Sequence, residues 1–127
     1  MAFKLGNERR GFKTPNNTPI LRKPLEGSIN AEANNDGSIV VDSSIPTNST
    51  TFKKAVRHEM KHMEDMENGK ADYGDDWVMW EDDIYARKEI NGEMVIDGPN
   101  GRWPEGHPNH PWEQEAIQAE NDENYGI

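Results

Sequence analysis

The sequence contains no cysteine. Disulfides are therefore excluded, and so is any metal site built on thiolates. A metal held by this chain must take its ligands from His, Asp and Glu. The absence also suits a reducing compartment. Apolar residues are scarce, at 32% of 127 residues, and the mean hydropathy is -1.04. One small core is the most this composition supports. No run approaches the 18 apolar residues of a membrane span. The first residues lack the apolar centre of a signal peptide, so a cytoplasmic protein, or one assembled in a cytoplasm, is expected. Positive charge is also short. The net charge is -10, which argues against nucleic acid as the main partner.

The few cations are unevenly placed. Lys4, Arg9, Arg10, Lys13, Arg22 and Lys23 face only Glu8 in the first 24 residues, leaving +5 there and -15 over the rest. Pro15, Pro19 and Pro24 interrupt residues 1–27, which show neither a helical nor a strand period. They are expected to form an extended basic arm that docks on a protein partner or another copy of the chain. A domain over residues 28–122 and a flexible tail over 123–127 complete the expected organisation.

Within the domain, Ser28–Ala33 and Ser38–Ser43 flank Asn34-Asn35-Asp36-Gly37 and predict a hairpin. Ser49 or Thr50 is a fitting N-cap for a helix over Thr51–Asn68, with Gly69 beyond its end. Phe52, Ala55, Val56, Met60, Met63 and Met66 recur on that helix at helical spacing. Tyr73–Asp83 reads as a solvated acidic loop anchored by Trp77 and Trp80; its acidic spacing does not match an EF-hand. Asn91-Gly92 predicts a type I′ hairpin between Ile84–Ile90 and Glu93–Asp97, against a competing helix over Trp77–Ile90. Residues 97–111 read as a Gly/Pro-rich loop, and Pro111 opens a last helix over Pro111–Asn121.

The chemistry centres on His58-Glu59-Met60-Lys61-His62. Two histidines four apart on a helix share one face, so their imidazoles can converge on one metal ion, usually zinc. The glutamate between them is placed to take a proton from a water at that ion. Donors for a third ligand lie downstream in Glu113, Glu115, His107 and His110.

HEMKH resembles the HExxH motif of the zincin metallopeptidases. The metzincin continuation would need Gly and His where this chain has Asp65 and Asn68. The gluzincin pattern fits better, because Glu113-Gln114-Glu115-Ala116 is similar to the Glu-x-x-Ala of that branch. Pro111-Trp112-Glu113 is similar to small zincin-like proteins of bacteriophages and mobile elements. The resemblance implies an α+β zincin-like domain with an HExxH helix, short hairpins and a C-terminal helix. It implies zinc held by His58, His62 and Glu113, with Glu115 or His110 as the alternative third ligand. Glu59 becomes the general base of a peptidase, and Tyr73, Tyr85, His107 or His110 the donor to an oxyanion. A second implication is a virion ring or connector subunit whose metal site is structural. A small regulatory protein with an accidental HExxH is the third reading.

Overall fold

The computed structural model describes residues 19–27, 29–34 and 36–125, with the backbone of 2–4. The arm expected over 1–27 falls largely outside the described residues, as do 126–127 of the expected tail. The architecture is α+β, with two helices and two sheets. Among the described residues, no helix is long and apolar enough to cross a membrane.

The first sheet has the order β1-β3-β4-β2, made of β1 (Ala2–Lys4), β2 (Ile20–Lys23), β3 (Ala31–Asn34) and β4 (Ile39–Asp42). The β3–β4 pair is the expected hairpin, with Ala31 opposite Val41 and Ala33 opposite Ile39. Gly37 takes φ +92°, and Asp36 accepts from the Ser38 backbone N–H at 3.0 Å. Ile39, Val40 and Val41 are all buried, as suits a central strand. Part of the expected arm belongs to this sheet. Ile20–Lys23 pairs parallel to Ile39–Asp42, and Arg22 donates to the Ser43 and Ile45 carbonyls at 2.7 Å each. Pro19 and Pro24 bound that strand rather than forbid it. A parallel partner 19 residues away leaves no local period to read.

Helix α1 (Thr50–Glu67) follows its sequence signals closely. Ser49 Oγ accepts from the Phe52 backbone N–H at 3.1 Å, and Gly69 takes φ +76° beyond the C-cap. Val56, Met60, Met63 and Met66 pack into one core with strands β3 and β4. A second row, Glu59, His62 and Asp65, is also buried. Asp65 is thus not the solvated helix charge expected from its type. It is 2% exposed and paired with Lys61 at 3.1 Å.

The second sheet is an antiparallel meander of β5 (Ala71–Tyr73), β6 (Trp77–Trp80), β7 (Asp83–Ile90), β8 (Glu93–Gly98) and β9 (Gly101–Pro104). The Asn91-Gly92 turn is as expected, with φ +53° and +81°. One expectation fails here: Tyr73–Asp83 is no solvated loop. The helix over Trp77–Ile90 that competed with the hairpin is absent. Alternation along β6 turns Val78 and Trp80 into the core, while Asp75, Asp76, Glu81 and Asp82 fall in the connections on either side. The β6–β7 turn is made by Glu81 and Asp82, both at positive φ (+49° and +73°), without the Gly or Asn that would announce it. The Gly/Pro-rich stretch likewise holds an edge strand, β9, where Pro104 costs no ladder bond that a central strand would need.

Helix α2 (Pro111–Glu120) returns across α1 with Pro111 in its first turn. Trp112 is 1% exposed, stacked on His110 at 4.7 Å and edge-on to Trp80 at 5.9 Å. Ala116, fully buried, lets the two helices approach. Beyond α2, Tyr125 donates its hydroxyl to Glu64 at 2.7 Å, so the segment expected as a free tail is tied back to α1.

Candidate metal centre

The site lies where α1 crosses α2. His58 and His62 sit one turn apart on α1, with ring centroids 5.1 Å apart. Glu113, in the first turn of α2, reaches both. Its Oε1 lies 2.8 Å from His58 Nε2 and 3.2 Å from His62 Nε2. The three donor atoms fall within 4.8 Å of one another, the one such His/Asp/Glu group among the described residues. His62 and Glu113 are each 1% exposed, while His58 opens toward solvent.

The alternative third ligands point elsewhere. Glu115 accepts from Lys70 Nζ at 2.7 Å, on the other side of α2. His110 Nε2 donates to the Trp103 carbonyl at 3.1 Å, and its ring stacks on Trp112. His107 stacks on Trp103 at 4.5 Å. Tyr73 is in the core and Tyr85 packs against it. A cleft of about 300 Å³ opens beside His58 and Glu59, walled by Asn30 and Ala31 of the first sheet and by Thr51, Lys54 and Glu120. None of the four expected oxyanion donors lines it.

The electrostatics follow from burial and pairing. Burial opposes a charge on His58, but the hydrogen bond to Glu113 and the carboxylates of Glu59 and Glu120 prevail and raise its pKa to about 9. Burial likewise pushes Glu113 up, yet the charge of His62 and the hydrogen bonds from both imidazoles hold it at about 2. Burial pushes the Glu59 carboxyl well above its ordinary range, against the pull of His58. Glu59 is 1% exposed and its Oε1 has no hydrogen-bond partner.

These directions fix a pH dependence for the metal-free protein. His58, raised from 6.5, contributes stability that is full below that value and lost as pH climbs through about 9. Glu59, raised from 4.5, loses stabilisation in the same sense. Glu113, lowered from 4.5, contributes above that value and fails only as pH falls toward about 2. With chelator present, the protein is expected to melt at a higher temperature near about pH 5.5 than near about pH 9. A melting temperature that climbs over that interval would contradict the buried imidazolium–carboxylate arrangement.

Glu120 is the site residue that sequence reading misses. It lies seven residues after Glu113 on the same helix, two turns along one face. Its Oε1 sits 2.7 Å from His58 Nδ1. A carboxylate there holds the ring so that Nε2 faces the donor cluster, the arrangement metal-bound histidines ordinarily need. The signal was the spacing, which becomes readable only once Glu113 is fixed as facing α1. If the group holds a metal, Glu120→Ala is expected to weaken its affinity by about 10–100-fold without abolishing binding. Competition against a chelator of known affinity measures this; an unchanged affinity would remove Glu120 from the site.

No family model, curated protein or solved structure matches the chain.

Proposed function

We propose that this chain is a zinc-dependent peptidase of small zincin-like type. The carrying observation is the convergence of His58 and His62 with Glu113, 51 residues beyond His62, beside a buried glutamate with an unpartnered oxygen. Two neutral imidazoles and one carboxylate are the donor set of catalytic zinc sites that keep an open position. Ligand atoms about 2.0–2.1 Å from a tetrahedral ion lie roughly 3.3 Å apart. Here Glu113 Oε1 lies 2.8 and 3.2 Å from the two imidazole nitrogens, and all three donor atoms lie within 4.8 Å of one another. The opening of His58 toward the cleft supplies access.

Zinc, when bound, polarises the scissile carbonyl and makes a water acidic enough to lose a proton near neutral pH. Glu59 takes that proton, since the residue lines the cleft beside His58 and no protein donor engages its buried Oε1. Its environment, which favours the protonated form, then suits it to pass the proton to the departing amine nitrogen. Glu120 holds His58 in one tautomer, and the close α1–α2 packing at Ala116 keeps Glu113 in reach. The zinc-loaded full chain is expected to cleave peptides from a proteome-derived mixture, read as new termini by mass spectrometry. No new termini over the metal-free control would sink the hydrolase reading.

A second reading has its own support. The donor group joins two helices in a chain with only 32% apolar residues, so a metal there would supply folding energy directly. On that reading the chain is a virion ring or connector subunit, assembled in a host cytoplasm and docked through its basic first residues. A metal-dependent fold without cleavage, together with assembly into rings, would favour it.

A further inference from the structure

We infer that the cleft selects peptides carrying a carboxylate within one or two residues of the scissile bond, and that Lys54, with Lys53 behind it, is the specificity determinant. The inference rests on the hydrolase reading and names its substrate class.

Lys54 stands four residues before His58, so it shares the face of α1 that carries the donors, one turn nearer the helix start. Four residues of helix span about 6 Å, close to the length of two residues of extended peptide. Lys54 lines the cleft together with His58 and Glu59. It also lines the adjoining depression with Lys53, Arg57 and Thr50. A substrate leaving the donor cluster in that direction therefore runs onto cations.

These lysines are not committed elsewhere. Lys61, Lys70, Arg87, Lys88 and Arg102 each pair with a carboxylate of the chain. The side chains of Lys53 and Lys54 have no ion pair or hydrogen bond among the described residues. In a chain with 24 acidic residues and 14 basic ones, two uncommitted lysines beside the donor cluster are out of proportion. Of the acids that line the cleft and the adjoining depression, Glu59 is buried, Glu120 is bound to His58 Nδ1, and Glu123 sits exposed on the outer rim. Arg57, 8% exposed, donates to the Glu120 carbonyl at 3.3 Å and so is held at the edge of the adjoining depression. Residues 25–127 carry a net charge of -15, so the cationic cleft stands against an acidic background over that part of the chain.

The carboxylate has two sources, an internal Asp or Glu side chain or a free C-terminus. Matched peptides resolve them. Each bears Glu, Gln or Lys one or two residues from the cleavage point, with either an amidated or a free C-terminus. With the zinc-loaded full chain, the carboxylate peptides are expected to exceed their amide isosteres by on the order of tenfold in kcat/KM, mostly through KM. Lys54→Gln should reduce that ratio, and the double variant Lys53→Glu with Lys54→Glu should reverse it. Lys23→Glu, with the charge change of a single reversal on strand β2, should leave it unaltered. A readout free of turnover is the dissociation constant of the Glu peptide with the zinc-loaded Glu59→Gln variant, before and after Lys54→Gln, with melts to verify folding.

Cleavage with equal rates for Glu and Gln peptides would overturn the inference and leave the hydrolase reading standing. Absence of cleavage with Lys54-dependent binding of the Glu peptide would support the carboxylate site and remove the hydrolase. Neither cleavage nor charge-dependent binding would overturn both.

Discussion

Glu59→Gln is expected to keep its zinc and its fold while losing about 10²–10⁴-fold in kcat, the range for removing a positioned general base. The amide is nearly isosteric with the carboxyl but cannot accept the proton. The prediction is sharpened by what Glu59 does in the fold. It is 1% exposed, its Oε1 has no partner, and burial pushes its pKa well above the ordinary range. A carboxyl in such a place destabilises the domain whenever it is ionised. Replacing it by a neutral amide should leave the melting temperature no lower than that of the parent at about pH 8. Lost turnover with full zinc content and an undiminished melt identifies a catalytic group. Retained turnover removes Glu59 from the mechanism, and lost zinc would make it a ligand.

The second large effect belongs to Glu113→Ala. In the metal-free protein this carboxylate offsets the charge on His58 across a buried contact of 2.8 Å and touches His62 at 3.2 Å. Removing one partner of a buried pair costs about 3–5 kcal/mol, because the other is left uncompensated. His58 is 12% exposed, so it retains some solvent and the lower end applies. For a chain of this size that is a fall of about 10 °C in melting temperature. With zinc present the loss should be larger, since the variant forfeits metal linkage as well. Scanning calorimetry of parent and variant, each with zinc and with chelator, separates the two contributions. Equal melts in all four samples would mean that the donor group does not join α1 to α2.

How far the sequence discloses this arrangement differs from element to element. Helix α1 announces itself through Ser49, Gly69 and its methionine row, because caps and periodicity are local properties. The Asn91-Gly92 hairpin and the Pro111 helix start are legible for the same reason. The β6–β7 turn is not, because Glu81 and Asp82 adopt positive φ under the demand of strand pairing rather than by preference. Strand β2 is hidden because its partner β4 is remote and parallel. Asp65 carries no mark of burial in its type; its place between Lys61 and the core is a tertiary fact. The candidate site divides similarly. His58, Glu59 and His62 are fixed by helical spacing. Glu113 is favoured over Glu115 and His110 in the sequence only by its likeness to Glu-x-x-Ala; the contacts of the three side chains are tertiary facts. Glu120 and Lys54 are plain helix charges until the cleft around His58 is seen.

Zinc stoichiometry across a short variant series tests the central claim most directly. Metal-free full chain is reloaded, desalted and analysed for zinc beside His62→Ala, Glu113→Ala, Glu115→Ala and His110→Ala. One zinc per chain is expected in the parent, retained by the Glu115 and His110 variants and lost by the other two. A parent that holds no zinc, or a Glu113→Ala variant that keeps a full equivalent, would contradict it.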